Sequence, residues 1–318
     1  MGHRSLACSR YDAADNLTQT GATQQAFNNA DELCWTASTT GPCSTPPSGA
    51  TSYQYDARGN RTNVTPSPGQ AQTLTYDQAN RLAKFVAAST TTYAYNADGL
   101  RMSKTAGSTT QYVWDASGSL PLVLKEGSTA YVYGAAGLPL EQINGTTTYY
   151  FHHDQLGSTR LLTDTAGIVQ TTYTYEPYGN VISATGTATN PIRFAGQYQD
   201  AESGSYYLRT RYYDPSTGQF TTFDPAELLT RHPYQYANDD PVNELDPSGL
   251  VVLGGCVNAS WQFIVAIHIQ ACVLGGYNTN THTPLFGFSQ TVTTPGENGV
   301  PNAVAIPSMG VSVGGKLS

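Results

Sequence analysis

Residues 53–61 read YQYDARGNR, and the same plan returns as LTYDQANRL (74–82), YAYNADGLR (93–101), YVWDASGSL (112–120) and YVYGAAGLP (131–139). Each copy runs aromatic, aspartate or a substitute, two spacers, then glycine or asparagine. The second aromatics, Tyr55, Tyr76, Tyr95, Trp114 and Tyr133, follow one another at steps of 21, 19, 19 and 19 residues. RYDAADNL (10–17) and YTYEPYGNV (173–181) extend the series, and FNNADEL (27–33) and FHHDQLGSTRL (151–161) are divergent copies. Each unit predicts a β-hairpin, because alternating Tyr, Thr and Val favour strands and an Asp-x-x-Gly turn lets the aspartate cap its own backbone while glycine takes positive φ. One hairpin cannot bury its own face. Side-by-side stacking therefore predicts an all-β, spiralling antiparallel sheet crossed by tyrosine ladders, its Thr-rich second face solvated or lining an enclosed volume.

Composition narrows the class. The chain has 318 residues, 22 of them Tyr and 31 Gly, with 12% charged residues and a net charge of −8. A basic footprint for nucleic acid or anionic lipid is absent from such a sequence. The five cysteines include no CxxC pair; Cys34 with Cys43 and Cys256 with Cys272 are each close enough to form a local disulfide in an oxidising compartment. The N-terminus shows no apolar signal-peptide core.

From residue 151 onward the wording becomes specific: YFHHDQLGSTRLLTDTAG, YEPYGNV, RFAGQYQDAESGSYYLRTRYYDPSTGQFTTFDP and PYQYANDDPVNELDPSGL. Over roughly residues 10–250 the chain resembles the YD-repeat proteins of the rearrangement-hotspot (Rhs) family, related to the C components of Tc toxins and to teneurins. The resemblance implies three regions: YD repeats at 1–150, an Rhs repeat-associated core at 151–250, and a variable, cargo-like tail at 251–318. It also implies a hollow β shell that encapsulates a C-terminal polypeptide and cuts it loose. The repeats are fewer than a closed shell needs, so the chain reads as the C-terminal part of a larger Rhs protein or as a truncated gene copy.

Two aspartates stand out at the boundary, Asp224 in FTTFDP and Asp246 in NELDPSGL, each followed by a proline that pushes it toward an extended conformation. Peptide hydrolysis without metal, serine or cysteine needs such a carboxylate pair, one group activating water and the other supplying a proton. The resemblance implies an aspartyl autoprotease that cuts after the leucine of DPxGL, which places the scissile bond between Leu250 and Val251, with Asp224 and Asp246 catalytic. It further matches Arg211 to an arginine needed for processing, suited to holding carboxylates. Asp200 aligns with another acidic core position, although Gln199 stands where Tc-like members carry arginine; Asp214 and Asp240 are weaker candidates. Asp-Pro and Asp-Pro-x-Gly are also ordinary turn sequences, and an arginine among tyrosines also stacks or bridges strands.

No metal or cofactor is expected. His152, His153 and Asp154 are consecutive on a strand, where neighbouring side chains face opposite ways and make poor co-ligands. The tail holds only Glu297 and Lys316 as charged residues. It reads as a short membrane-perturbing peptide, a small β module or a degenerate remnant. The functional expectation is a shell that releases its own tail as cargo, in toxin delivery or intercellular competition. An immunity protein or secretion apparatus would be its partner, its tail would make any membrane contact, the shell would bind no nucleic acid, and its location would be secreted or at the cell surface. The competing class is a non-enzymatic structural or surface-binding repeat protein.

Overall fold

The repeat becomes structure at its turns. In the unit at 53–61, Asp56 Oδ1 accepts the backbone N–H groups of Arg58 and Asn60 at 2.9 and 3.0 Å, and Gly59 closes the turn at φ +75°. The same aspartate geometry recurs at Asp77, Asp154 and Asp164. A bulge follows on the strand entering the turn, so that Tyr55 pairs with Arg61 across the hairpin.

The computed structural model describes residues 9–250 apart from 119, 135, 136 and the side chain of 229, and beyond 253 the backbone of five strands. Two compact units divide at Gly249 and Leu250. In the first, eighteen strands from Ser9–Tyr11 to Val181–Gly186 form a meander, each antiparallel to its neighbour in sequence, and the sheet does not close into a barrel. In the second, the tail backbone forms an antiparallel sheet built on Gly254–Gln262, Ala266–Asn278 and Thr283–Pro295. Among the described residues no helix is long and apolar enough to cross a membrane.

The tyrosine ladder has a hydrogen-bond basis. In four consecutive units the second aromatic reaches the start of the preceding unit's return strand: Tyr76 Oη donates to Arg61 O at 3.0 Å, Tyr95 Oη to Leu82 O at 2.7 Å, Trp114 Nε1 to Arg101 O at 2.7 Å and Tyr133 Oη to Val123 O at 2.9 Å. A buried ring needs a partner for its polar tip, and the repeat spacing supplies one at each of these four consecutive units.

The aromatic face of the sheet is covered by residues 190–249. These carry a four-stranded antiparallel sheet, Tyr198–Gln199, Tyr206–Leu208, Arg211–Asp214 and Gln219–Phe220. Tyr207 and Tyr212 pack with Leu74, Leu82, Phe85 and Tyr93; Ile192 and Tyr198 pack with Tyr112, Tyr131 and Leu162. Phe194, Tyr206, Tyr213, Phe220 and Tyr236 close over Leu17 and Tyr178. Burial of each such ring contributes roughly 2 kcal/mol, so the core segment and the repeats stabilise each other. Cys34 and Cys43 form a disulfide, with Cα atoms 5.5 Å apart. The side chains of Cys256 and Cys272 lie outside the described residues.

Candidate functional site

The hairpin Tyr206–Leu208 to Arg211–Asp214 turns in two residues, Arg209 and Thr210, with Leu208 paired to Arg211. That turn meets the terminal motif DPSGL. The Arg209 guanidinium donates to Pro247 O at 3.0 Å, the Thr210 N–H to Ser248 O at 3.2 Å, and Arg211 Nε to Gly249 O. Three consecutive residues thus hold three consecutive carbonyls. Gly249 sits at φ +71°, and a Cβ there would lie 2.9 Å from both Arg211 N and Leu208 O, so only glycine lets the segment lie this close.

Arg211 also brings the two predicted aspartates together. Its Nη2 stands 3.4 Å from Asp224 Oδ2 and 3.7 Å from Asp246 Oδ2, with all three side chains at most 3% exposed. Its guanidinium carbon lies 3.6 Å from the centre of the Phe220 ring. Burial pulls the Arg211 guanidinium below its ordinary value, and the two carboxylates oppose that shift. Asp224 is fixed locally: its Oδ1 accepts the Ala226 N–H at 2.8 Å and its Oδ2 the Thr230 hydroxyl at 3.3 Å, across the short helix Glu227–Thr230. Asp246 Oδ1 accepts the Ser248 N–H at 3.3 Å and the Ser248 hydroxyl at 3.2 Å. Its Oδ2 is buried without a hydrogen bond. Burial pushes Asp246 up to about 6, against the pull of Arg211 and the Ser248 bonds, and Asp224 adds a smaller upward contribution.

Such a cluster can hold one proton on a buried acid beside a second carboxylate and a cation, which is the set that general acid–base hydrolysis requires. Leu250 is buried; Val251 lies outside the described residues.

The other acidic candidates are engaged elsewhere. Asp200, fully buried, pairs with Arg101 at 2.5 Å and Lys104 at 3.1 Å. Asp214 pairs with Arg61 at 2.7 Å, and Asp240 accepts the Asn243 amide at 2.8 Å. His152 contacts Thr163 Oγ1 at 3.0 Å, while the His153 ring stacks on Phe151. Sequence reasoning missed Arg209, Arg61 and Arg101. Arg61 and Arg101 do share a signal, since each is the residue just after the Gly-x of its repeat turn.

The teneurin YD-shell family profile matches residues 44–138 and 128–242. The chain belongs to that family. This YD-shell chain is an Rhs-type YD-repeat protein, and its curated relatives include toxin-related proteins. One is the tRNA3(Ser)-specific nuclease WapA of Bacillus spizizenii, 30% identical over 216 residues that cover 63% of the YD-shell chain and 8% of WapA. Another is toxin protein Tse5 of Pseudomonas aeruginosa, 38% identical over 104 residues, 32% of the YD-shell chain and 8% of Tse5. The matched region thus spans 8% of the length of each of these relatives. A solved TcdB2-TccC3-Cdc42 structure is similar at 18% identity and TM-score 0.46, over 77% of the YD-shell chain and 17% of that one.

Proposed function

We propose that the chain cuts itself once, between Leu250 and Val251, and so releases residues 251–318. The observation that supports this reading is the buried meeting of Asp224, Arg211 and Asp246 at the Gly249 carbonyl, one residue before that bond. Water adds its oxygen to the Leu250 carbonyl carbon while one carboxylate takes its proton; the other carboxyl gives a proton to the Val251 nitrogen as the C–N bond breaks. Asp246, raised to about 6, is the proton donor in mildly acid solution, and Asp224 is the base. Arg211, whose Nη2 makes no hydrogen bond, is the cation that this reading assigns to the oxyanion formed in between. The products are a carboxylate on Leu250 and an amine on Val251.

In this reading the tail is the cargo, and an immunity protein or a secretion apparatus is a partner to be sought. The names of WapA and Tse5, a nuclease and a toxin, support a role in toxin delivery and a secreted or surface location. The test is intact mass and N-terminal sequence of the expressed chain, alongside Asp224→Asn and Asp246→Asn. A fragment beginning at Val251 in the wild type alone is the expected result. A wild type that stays one polypeptide between pH 5 and 8 leaves a non-enzymatic repeat protein as the answer.

A further inference from the structure

Arg209 has an unusual cost attached to its position. It holds φ +64°, a left-handed conformation that glycine adopts easily and arginine does not, at the first position of a two-residue turn. Its guanidinium has no carboxylate partner among the described residues. Instead it donates to three oxygens from three separate segments: Pro121 O at 3.1 Å, the Gln197 side-chain oxygen, and Pro247 O at 3.0 Å. Burial accordingly lowers its pKa, with only the Tyr207 and Tyr133 hydroxyls opposing. A strained backbone and an unneutralised guanidinium persist where the side chain serves something that glycine cannot. What it does that its neighbours do not is join the Pro247 carbonyl, three residues before Leu250, to Pro121 and Gln197.

We infer that Arg209 is a positioning residue that sets the register of the scissile segment, gripping the Pro247 carbonyl so that the bond after Leu250, and not an adjacent one, meets the carboxylate pair. The inference rests on the autoproteolytic reading above. Thr210 and Arg211 hold the next two carbonyls, Ser248 O and Gly249 O, and the further partners of the Arg211 guanidinium, Asp224, Phe220 and Pro233, all lie within the core segment. Arg209 is the member of the three whose side chain reaches the repeat sheet: Pro121 belongs to that sheet's connections, and Gln197, its other anchor, precedes the core's first strand. The grip therefore references the cleavage segment to the shell. It does not touch the reacting atoms, so its loss alters where and how fast the chain is cut without removing the chemistry.

The test uses the full chain with Arg209→Gly and Arg209→Lys. Glycine relieves the left-handed strain and keeps the turn while losing three side-chain hydrogen bonds, and a single cooperative thermal melt verifies that Arg209→Gly folds. The expected result is cleavage at least tenfold slower, with fragments that begin at residues other than Val251 joining or replacing the correct one; Arg209→Lys, which keeps a cationic donor, recovers most of the Val251 product. The pH at which the residual cleavage is half-maximal stays where the wild type has it, since Asp246 and Asp224 are untouched. Cleavage of folded Arg209→Gly at the wild-type rate and solely before Val251 overturns the inference and leaves autoproteolysis standing. Absence of cleavage in the wild type removes both.

Discussion

Arg101 and Asp200 meet at 2.5 Å with both side chains wholly out of water, an ion pair between the repeat sheet and the core segment that covers it. The guanidinium carbon also lies 4.5 to 5.4 Å from the ring centres of Tyr207, Tyr112, Tyr198 and Tyr93. Arg61 repeats the arrangement 40 residues earlier, with Asp214 at 2.7 Å and the Tyr53 ring at 4.7 Å. Arg211 is a third buried arginine over an aromatic ring and facing carboxylates, but here two carboxylates share one cation and one of them keeps an oxygen without a hydrogen bond. In the first two pairs both carboxylate oxygens are hydrogen-bonded, and the unbonded buried atom is a donor, Arg101 Nε. The third is left incomplete, which is the physical ground for placing chemistry there.

Breaking the Arg101–Asp200 pair from one side leaves a buried charge without its partner. Arg101→Met and Asp200→Asn are each expected to cost about 3–5 kcal/mol in urea unfolding. The double substitution removes both charges and leaves Lys104 paired with Glu202 at 3.0 Å, so it is expected to cost clearly less than the sum of the singles. Additive losses would show that the two groups do not depend on each other.

The repeat was legible because its determinants are local. Asp56 bonds to backbone two and four residues on, and Tyr76 reaches a strand fifteen residues back, so both are visible in a short window of sequence. The carboxylate pair was legible only through the wording of the core region, since Asp224 and Asp246 are joined by Arg211 in space and by nothing periodic in sequence. Asp200 and Asp214 stood as further, weaker acidic candidates on the same wording. Their true partners, Arg101 and Arg61, lie 99 and 153 residues away, beyond any local pattern. Arg209 was invisible because its meaning depends on a left-handed φ and on three oxygens brought together by the fold.

Stability should carry the signature of Asp246. Its folded-state pKa of about 6 lies above the ordinary aspartate value of 3.8, so the native state binds this proton more tightly than the unfolded chain does. The resulting stabilisation is complete below about pH 4 and is lost as pH rises through about 6, a swing on the order of 3 kcal/mol. An asparagine mimics the protonated form at every pH. In an uncut Asp224→Asn background, adding Asp246→Asn is therefore expected to raise stability at pH 8 and to change it little at pH 4. Asp239, also raised to about 6 by burial, is present in both proteins and cancels in the difference. Equal effects at the two pH values would show that Asp246 ionises normally in the fold.

The disulfide closes a short loop, Cys34 to Cys43, nine residues apart in sequence. Chain-entropy arguments give a loop of that size about 3 kcal/mol of stabilisation, by restricting the unfolded state. Reduction is expected to lower the unfolding free energy by that amount, with a corresponding fall in the urea midpoint. Trp35, whose Nε1 donates to Pro42 O at 3.1 Å inside the loop, should report the change in its fluorescence. An unchanged midpoint under full reduction would mean that the loop is already held by Trp35 packing.

Gly249 is the position where backbone geometry and the proposed chemistry meet. At φ +71° an alanine pays the left-handed penalty of about 1–2 kcal/mol, and its Cβ would lie 2.9 Å from Arg211 N and Leu208 O, two backbone atoms of a tight hairpin that cannot yield easily. The strain falls on the segment that presents its carbonyl to Arg211 Nε, so the terminal motif leaves its seat before the core unfolds. Gly249→Ala is therefore expected to lower global stability by no more than about 2 kcal/mol while slowing release of the Val251 fragment far more, by at least tenfold. The paired measurement is a urea melt and a time course of intact mass on the same preparation. A loss of cleavage no greater than the loss of folded protein would mean that Gly249 serves the fold alone, and a cleavage rate equal to wild type would mean that the Gly249 carbonyl need not lie on Arg211 for the bond to break.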